Sequence, residues 1–132
     1  MKALMIAGLC AALGALPAMA QERFGPGRLT VTATGGGFAV ENDIDHGARG
    51  MWCAAGEYAH ATGRDAPRQR IYVAEPRPMT LGARGPVVFT LDPAGLAPSN
   101  AWISGLSLAQ AGSSMSVAHA RSLCNALQSA GR

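Results

Sequence analysis

The sequence predicts a single small α+β domain. It should contain an antiparallel sheet of four or five strands with two helices packed on one face, cross-linked by one disulfide. Three observations predict this. Short runs alternate apolar and polar residues with period two, as half-buried strands do. Two other stretches carry apolar stripes at helical spacing. Each stretch holds one cysteine, Cys53 in the first and Cys124 in the second.

Residues 1–20 stand apart from that domain. Lys2 supplies a positive start, Ala3 to Leu16 is an uncharged apolar run, and Pro17-Ala18-Met19-Ala20 ends in an Ala-x-Ala site. This is the pattern of a secretory signal peptide cleaved after Ala20, and it is too short and wrongly flanked for a membrane span. Cys10 would leave with it. Removing twenty of the 132 residues leaves 112, enough for one modest core and not for two. The expected organisation is a signal peptide over 1–20, a flexible Gly/Pro-rich arm over 21–28 and one domain over 29–132.

The elements follow in order. Leu29-Thr30-Val31-Thr32-Ala33-Thr34 alternates, with Leu29, Val31 and Ala33 on one side and the threonines on the other. Gly35-Gly36-Gly37 breaks the run and Phe38 to Glu41 resumes it, which predicts a β-hairpin. A phosphate-cradling glycine loop would need a helix after the glycines; here a strand follows. Asn42 to Gly50 is a polar loop. A helix starts near Met51, with Trp52, Ala55, Gly56 and Ala59 on one stripe and Cys53 and His60 along its edge. Small residues there permit close approach to a partner, and Gly63 is suited to end the helix.

Arg64 to Gln69 is a charged loop. Arg70 to Glu75 is the clearest strand, with Ile71 and Val73 inward, and Pro76 and Pro78 end it. After a long glycine-rich connection, Val87, Phe89 and Leu91 alternate inward in a further strand. The two strands should pair antiparallel, since no helix-length crossover separates them. Residues 97–112 give no clear pattern; Trp102 to Leu108 suit a last strand or an irregular cover. The final helix carries Val117, Ala120, Leu123, Cys124 and Leu127 on its apolar stripe, capped by Ser113, Ser114 or Ser116.

Charge excludes some functions. Lys2 is the sole lysine, so after cleavage ten arginines face eight acids, a net charge of +2. That excess is too small and too scattered for nucleic-acid binding. The one cluster, Arg64, Arg68 and Arg70, suits a solvated loop or an anion-binding patch. Two cysteines in an exported chain are most simply one disulfide, Cys53–Cys124.

Chemistry is sparsely signalled. Glu57 and His60 are three apart on a helix, a spacing found in carboxylate–histidine metal sites. Asp43, Asp45 and His46 precede the same helix, and His119 would join if the disulfide brings the helices together. The plain alternative is three ordinary histidines. No Gly-x-Ser-x-Gly elbow is present. Trp52, Trp102, Tyr58 and Tyr72 are either a groove lining or core and rim.

The segments Trp52-Cys53-Ala54-Ala55-Gly56, Arg70-Ile71-Tyr72-Val73-Ala74, Val88-Phe89-Thr90-Leu91-Asp92-Pro93, Ser114-Met115-Ser116-Val117 and Leu123-Cys124 together resemble small uncharacterised exported proteins of alphaproteobacterial type. The resemblance implies secretion and a paired cysteine. It implies no activity, ligand or site residue.

The resulting expectation is a non-catalytic periplasmic or secreted module that binds a partner protein or a small ligand. It needs no cofactor and has no contact with nucleic acid, nor with a membrane after cleavage. One alternative is a small metal-dependent or hydrolytic enzyme built on His46, Glu57 and His60. Another is an inhibitor-like protein that presents the loop over 76–86.

Overall fold

A computed structural model describes residues 21–77, 85–100 and 107–130. The segment 1–20, most of the 76–86 loop and Trp102 lie outside the described residues. The order is β1 (Gln21–Phe24), β2 (Leu29–Ala33), β3 (Phe38–Val40), α1 (Gly47–Ala61), β4 (Arg70–Glu75), β5 (Val87–Thr90), β6 (Ser99–Asn100), β7 (Ser113–Ser116) and α2 (Val117–Ala130). The class is α+β, as expected. The sheet has seven strands, not four or five, in the order β1-β2-β3-β5-β4-β7-β6. Every pairing is antiparallel except β6 with β7.

The alternation sets which face is buried. Leu29 and Val31, Phe38 and Val40, Ile71 and Val73, and Val87 and Phe89 are all buried, two from each strand. They join Trp52, Met51 and the α2 stripe in one core. The β2–β3 hairpin forms across the triple glycine, with Val31 opposite Val40 and the Thr34 amide donating to the Gly37 carbonyl. β4 pairs with β5 as predicted, with a register shift between Val73 and Glu75.

The extra strands are corrections with physical causes. The arm over 21–28 is strand and turn. Gln21–Phe24 pairs with β2, the Gly25 amide donates to Glu57 Oε2 at 2.8 Å, and Phe24 sets its ring edge-on to Tyr58 with centroids 5.6 Å apart. Both partners lie more than thirty residues along the chain, beyond the reach of local composition. β7 uses residues expected only as helix caps. Ser113 and Ser114 are buried in the sheet, and Ser116 alone takes the capping role, accepting from the His119 amide at 3.0 Å.

Helix α1 starts a turn earlier than Met51. Asp43 causes this. Its carbonyl accepts from the Gly47 amide at 3.1 Å, and its carboxylate accepts from the Asp45 and His46 amides at 3.0 and 2.9 Å. Gly50 is required above it, because a Cβ there would lie 1.8 Å from Asp43 Oδ2. At the other end the helix stops at Gly63, whose φ of 74° fits the left-handed cap.

The two helices pack on each other through the predicted small stripe. Cys53 and Cys124 are bonded, with Cα atoms 5.1 Å apart and 71 positions between them. One turn along, Gly56 faces Ala120, and a Cβ on Gly56 would come within 2.8 Å of the Ala120 methyl and 2.9 Å of the Arg121 amide nitrogen.

Two outcomes follow. Gly56→Ala gains roughly 1 kcal/mol of helix propensity, yet the forced separation of α1 and α2 should cost more, for a net loss of about 1–2 kcal/mol. Urea denaturation of the oxidised protein measures it; Gly35→Ala, which has open space at its Cβ, is the control and should be near neutral. Replacing both Cys53 and Cys124 by Ala should lower stability by about 4 kcal/mol on the chain-entropy argument. Mass spectrometry of the native chain should find it lighter by two hydrogens than the reduced chain, with no free thiol.

Candidate functional site

The histidines do not form a shared site. His46 is the N-cap residue of α1 and His60 sits in its last turn. At roughly 1.5 Å per residue they are about 20 Å apart, so no single ion can bridge them. His46 directs Nδ1 at the buried Asp43, 3.2 Å from Oδ2. His60 pairs through Nδ1 with Asp65 in the following loop. Glu57 turns away from His60 toward Gly25. His119 is half-buried on α2. The structure therefore does not bring His46, Glu57 and His60 together: each side chain has a different partner, Asp43, Gly25 and Asp65 respectively.

Glu57 does belong to another cluster. One of its carboxylate oxygens lies within 4.8 Å of both Cys53 Sγ and Cys124 Sγ. Metal binding there would need thiolates, and the two sulfurs are bonded to each other. The carboxylate is also occupied by the Gly25 amide. This group does not fit a metal in the oxidised chain; it fixes the first turn over the disulfide, where a Cβ on Gly25 would meet Cys53 Sγ at 3.3 Å.

The arginine cluster divides. Arg70 donates from Nε and Nη2 to Ser114 Oγ at 3.2 and 3.0 Å, and Ser114 Oγ donates to the Ser99 carbonyl at 3.0 Å. Arg70 thus joins β4, β7 and β6 and is a structural residue. Arg68 is exposed. Arg64 lines a cleft.

That cleft lies at the end of the sheet where α1 finishes and encloses about 440 Å³. Its walls are the β2–β3 turn (Thr34, Gly36, Gly37, Phe38), the end of α1 and its loop (Tyr58, Thr62, Arg64), Gln69, and the end of β5 with the residues after it (Thr90, Leu91, Asp92). Phe38 and Tyr58 rings meet with centroids 4.5 Å apart, so the inner wall is aromatic. Of the four aromatics flagged in the sequence, Trp52 is core, fully buried and edge-on to Phe89 at 5.0 Å. Tyr58 lines the cleft, and Trp102 lies outside the described residues. Thr90 Oγ1 donates to the Gly36 carbonyl at 2.9 Å and ties the turn to β5. A volume near 440 Å³ lies within the roughly 300–1,000 Å³ of small-molecule sites.

No family model, curated protein or solved structure matches this chain. The site must be read from its own chemistry. No sequence motif marked it, because its lining comes from four separated stretches. The usable signals were the triple glycine, Tyr58 at the end of a helix, and a turn after β5.

One electrostatic outcome can be checked directly. The hydrogen bond to His60 holds the Asp65 carboxyl below its ordinary value, and the charges of His60 and Arg121 add to this against some desolvation. A lowered folded-state value contributes stability above the unfolded-state pKa, and that contribution is lost as pH falls through the folded value. Asp65 is exposed, so the effect on stability is small. His60→Ala should raise the Asp65 pKa toward the ordinary aspartate value, as followed by carboxyl-carbon chemical shifts between acid and neutral pH.

Proposed function

We propose that this protein is a non-catalytic exported module of the periplasm or the extracellular space, and that it binds a small ligand in the cleft bounded by Tyr58, Arg64, Gln69 and Asp92. The cleft carries the reading: about 440 Å³ with an aromatic wall and a polar rim. Export is supported by the segment ending at Ala20 and by the buried Cys53–Cys124 bond, which suits an oxidising compartment. No helix among the described residues is long and apolar enough to cross a membrane.

A binding role is favoured over catalysis by what the cleft holds. Its lining contains neither a histidine nor a cysteine, and the serines of β7 are elsewhere. Thr90 and Thr62 hydroxyls are both engaged with backbone carbonyls. No nucleophile–base pair therefore faces the space. The inhibitor reading rests on the loop over 76–86. The described root of that loop is tied back to the body, with the Arg77 amide donating to the Leu108 carbonyl at 2.9 Å and Arg77 Nη2 contacting Met51 Sδ.

Two measurements test the proposal. The N-terminus of protein recovered from the exporting cell should be Gln21. Low-molecular-weight extract from the periplasm, added to isotopically labelled mature protein, should shift amide resonances of Tyr58, Gln69 and Leu91 and leave those of α2 unmoved. Shifts confined to other surfaces, or none, would reject the cleft as the site.

A further inference from the structure

The polar groups of the cleft are not equally available. Thr90 Oγ1 bonds the Gly36 carbonyl and accepts from the Asp92 amide at 3.1 Å. Gln69 Nε2 donates to the Arg70 and Leu91 carbonyls at 2.9 and 3.3 Å. Thr62 Oγ1 donates to the Tyr58 carbonyl at 3.0 Å. These groups build the walls. Two charged groups are left over, Arg64 and Asp92. They stand on different elements, one after α1 and one after β5, and neither is in an ion pair among the described residues.

Each residue is anchored by one local contact, and both side chains are exposed. The Arg64 amide donates to the Ala59 carbonyl at 2.8 Å, completing the end of α1. Asp92 Oδ1 accepts from the Ala94 amide at 3.0 Å, which anchors the turn, and the residue is exposed. Tyr58 is braced by Phe24 on one side and Phe38 on the other. The cleft thus has an exposed cationic side chain, an anionic group anchored by its turn and an aromatic surface.

Resting on the cleft being the binding site, we propose that its ligand is a zwitterion with an apolar or aromatic side group, in the class of free amino acids and short peptides. The ligand carboxylate pairs with the Arg64 guanidinium, for which a planar fork is suited. The ligand ammonium pairs with the Asp92 carboxylate. The side group lies against Tyr58 and Leu91. A neutral or singly charged ligand leaves one of the two charged groups unanswered.

The test uses the mature, oxidised protein and four dipeptide probes: L-phenylalanyl-L-alanine with free ends, its N-acetyl form, its C-terminal amide and the doubly blocked form. Isothermal titration and amide shifts at low ionic strength give the affinities. The free dipeptide should bind best, and each block should weaken binding by about three- to tenfold, as expected of partly exposed charge pairs. The pairing is then assigned by variants on the exposed side chains. In Arg64→Gln the amide should bind as well as the free carboxylate, and in Asp92→Asn the acetylated form should bind as well as the free amine. Equal binding of blocked and free dipeptides would overturn the zwitterion assignment and leave the cleft as a binding site. Penalties that persist unchanged in both variants would overturn it too, since the charges would then be read elsewhere. No binding of any probe would overturn it while periplasmic extract still decides the cleft itself.

Discussion

The contact between α1 and α2 is the constraint on which the rest depends. Cys53 and Cys124 bond across it, and Gly56 lies against Ala120 one turn away. A covalent link alone would hold two helices near each other at many angles. A glycine pressed on a methyl one turn along selects one approach. The two contacts together fix both helices over the sheet. The chain needs this. A core of about this size supplies little margin against a total stability of roughly 5–15 kcal/mol, and the bond closes the longest available loop between the middle of the fold and its last helix.

From that clamp the two carboxylates on or beside α1 acquire their roles. Asp43 organises the first turn of α1 with three backbone amides and His46. Glu57 takes the Gly25 amide and so draws β1 and its turn over the disulfide. Both look like chemical residues in the sequence, an acid near a histidine in each case. In the fold both answer backbone donors that would otherwise lack partners, which is the commoner employment of a carboxylate at low exposure. The tie from Glu57 also explains how a strand can form from Gln-Glu-Arg-Phe, which has little strand character of its own.

What the sequence made legible follows from how far each signal reaches. Period-two alternation located β2, β3, β4 and β5, and the hairpin at Gly35-Gly36-Gly37, because those are local patterns on a half-buried sheet. The stripes Trp52/Ala55/Gly56/Ala59 and Val117/Ala120/Leu123/Cys124 located the helix faces and hence the bond between them. β1 and β7 were hidden, since Gln21–Phe24 is polar and Ser113–Ser116 is three serines and a methionine. β7 is held by Arg70 reaching Ser114 from the neighbouring strand, an interaction between residues 44 positions apart. The cleft was hidden for the same reason: Phe38, Tyr58, Arg64 and Asp92 carry no shared spacing. His46, Glu57 and His60 lie apart for the opposite reason. Glu57 and His60 have the spacing of a site, but spacing on a helix fixes only which turn a side chain leaves from.

The clamp also sets which end of the helix pair is closed. The disulfide end of the helix pair is closed, with Cys53 and Cys124 buried and Gly25 packed over the sulfur. Motion there would cost core contacts. At the far end α1 terminates at Gly63, its last carbonyls answered by the amides of Thr62, Gly63 and Arg64. The helix end is therefore satisfied without a ligand and rigid without one. Tyr58 is pinned between two phenylalanines, and Thr90 holds the β2–β3 turn at a fixed distance from β5. In the proposed binding role, walls assembled from such parts are formed before the ligand arrives, so their ordering subtracts little from binding. In that role the surface side chains Arg64 and Asp92 supply selectivity, on a scaffold tied together by the bond between Cys53 and Cys124.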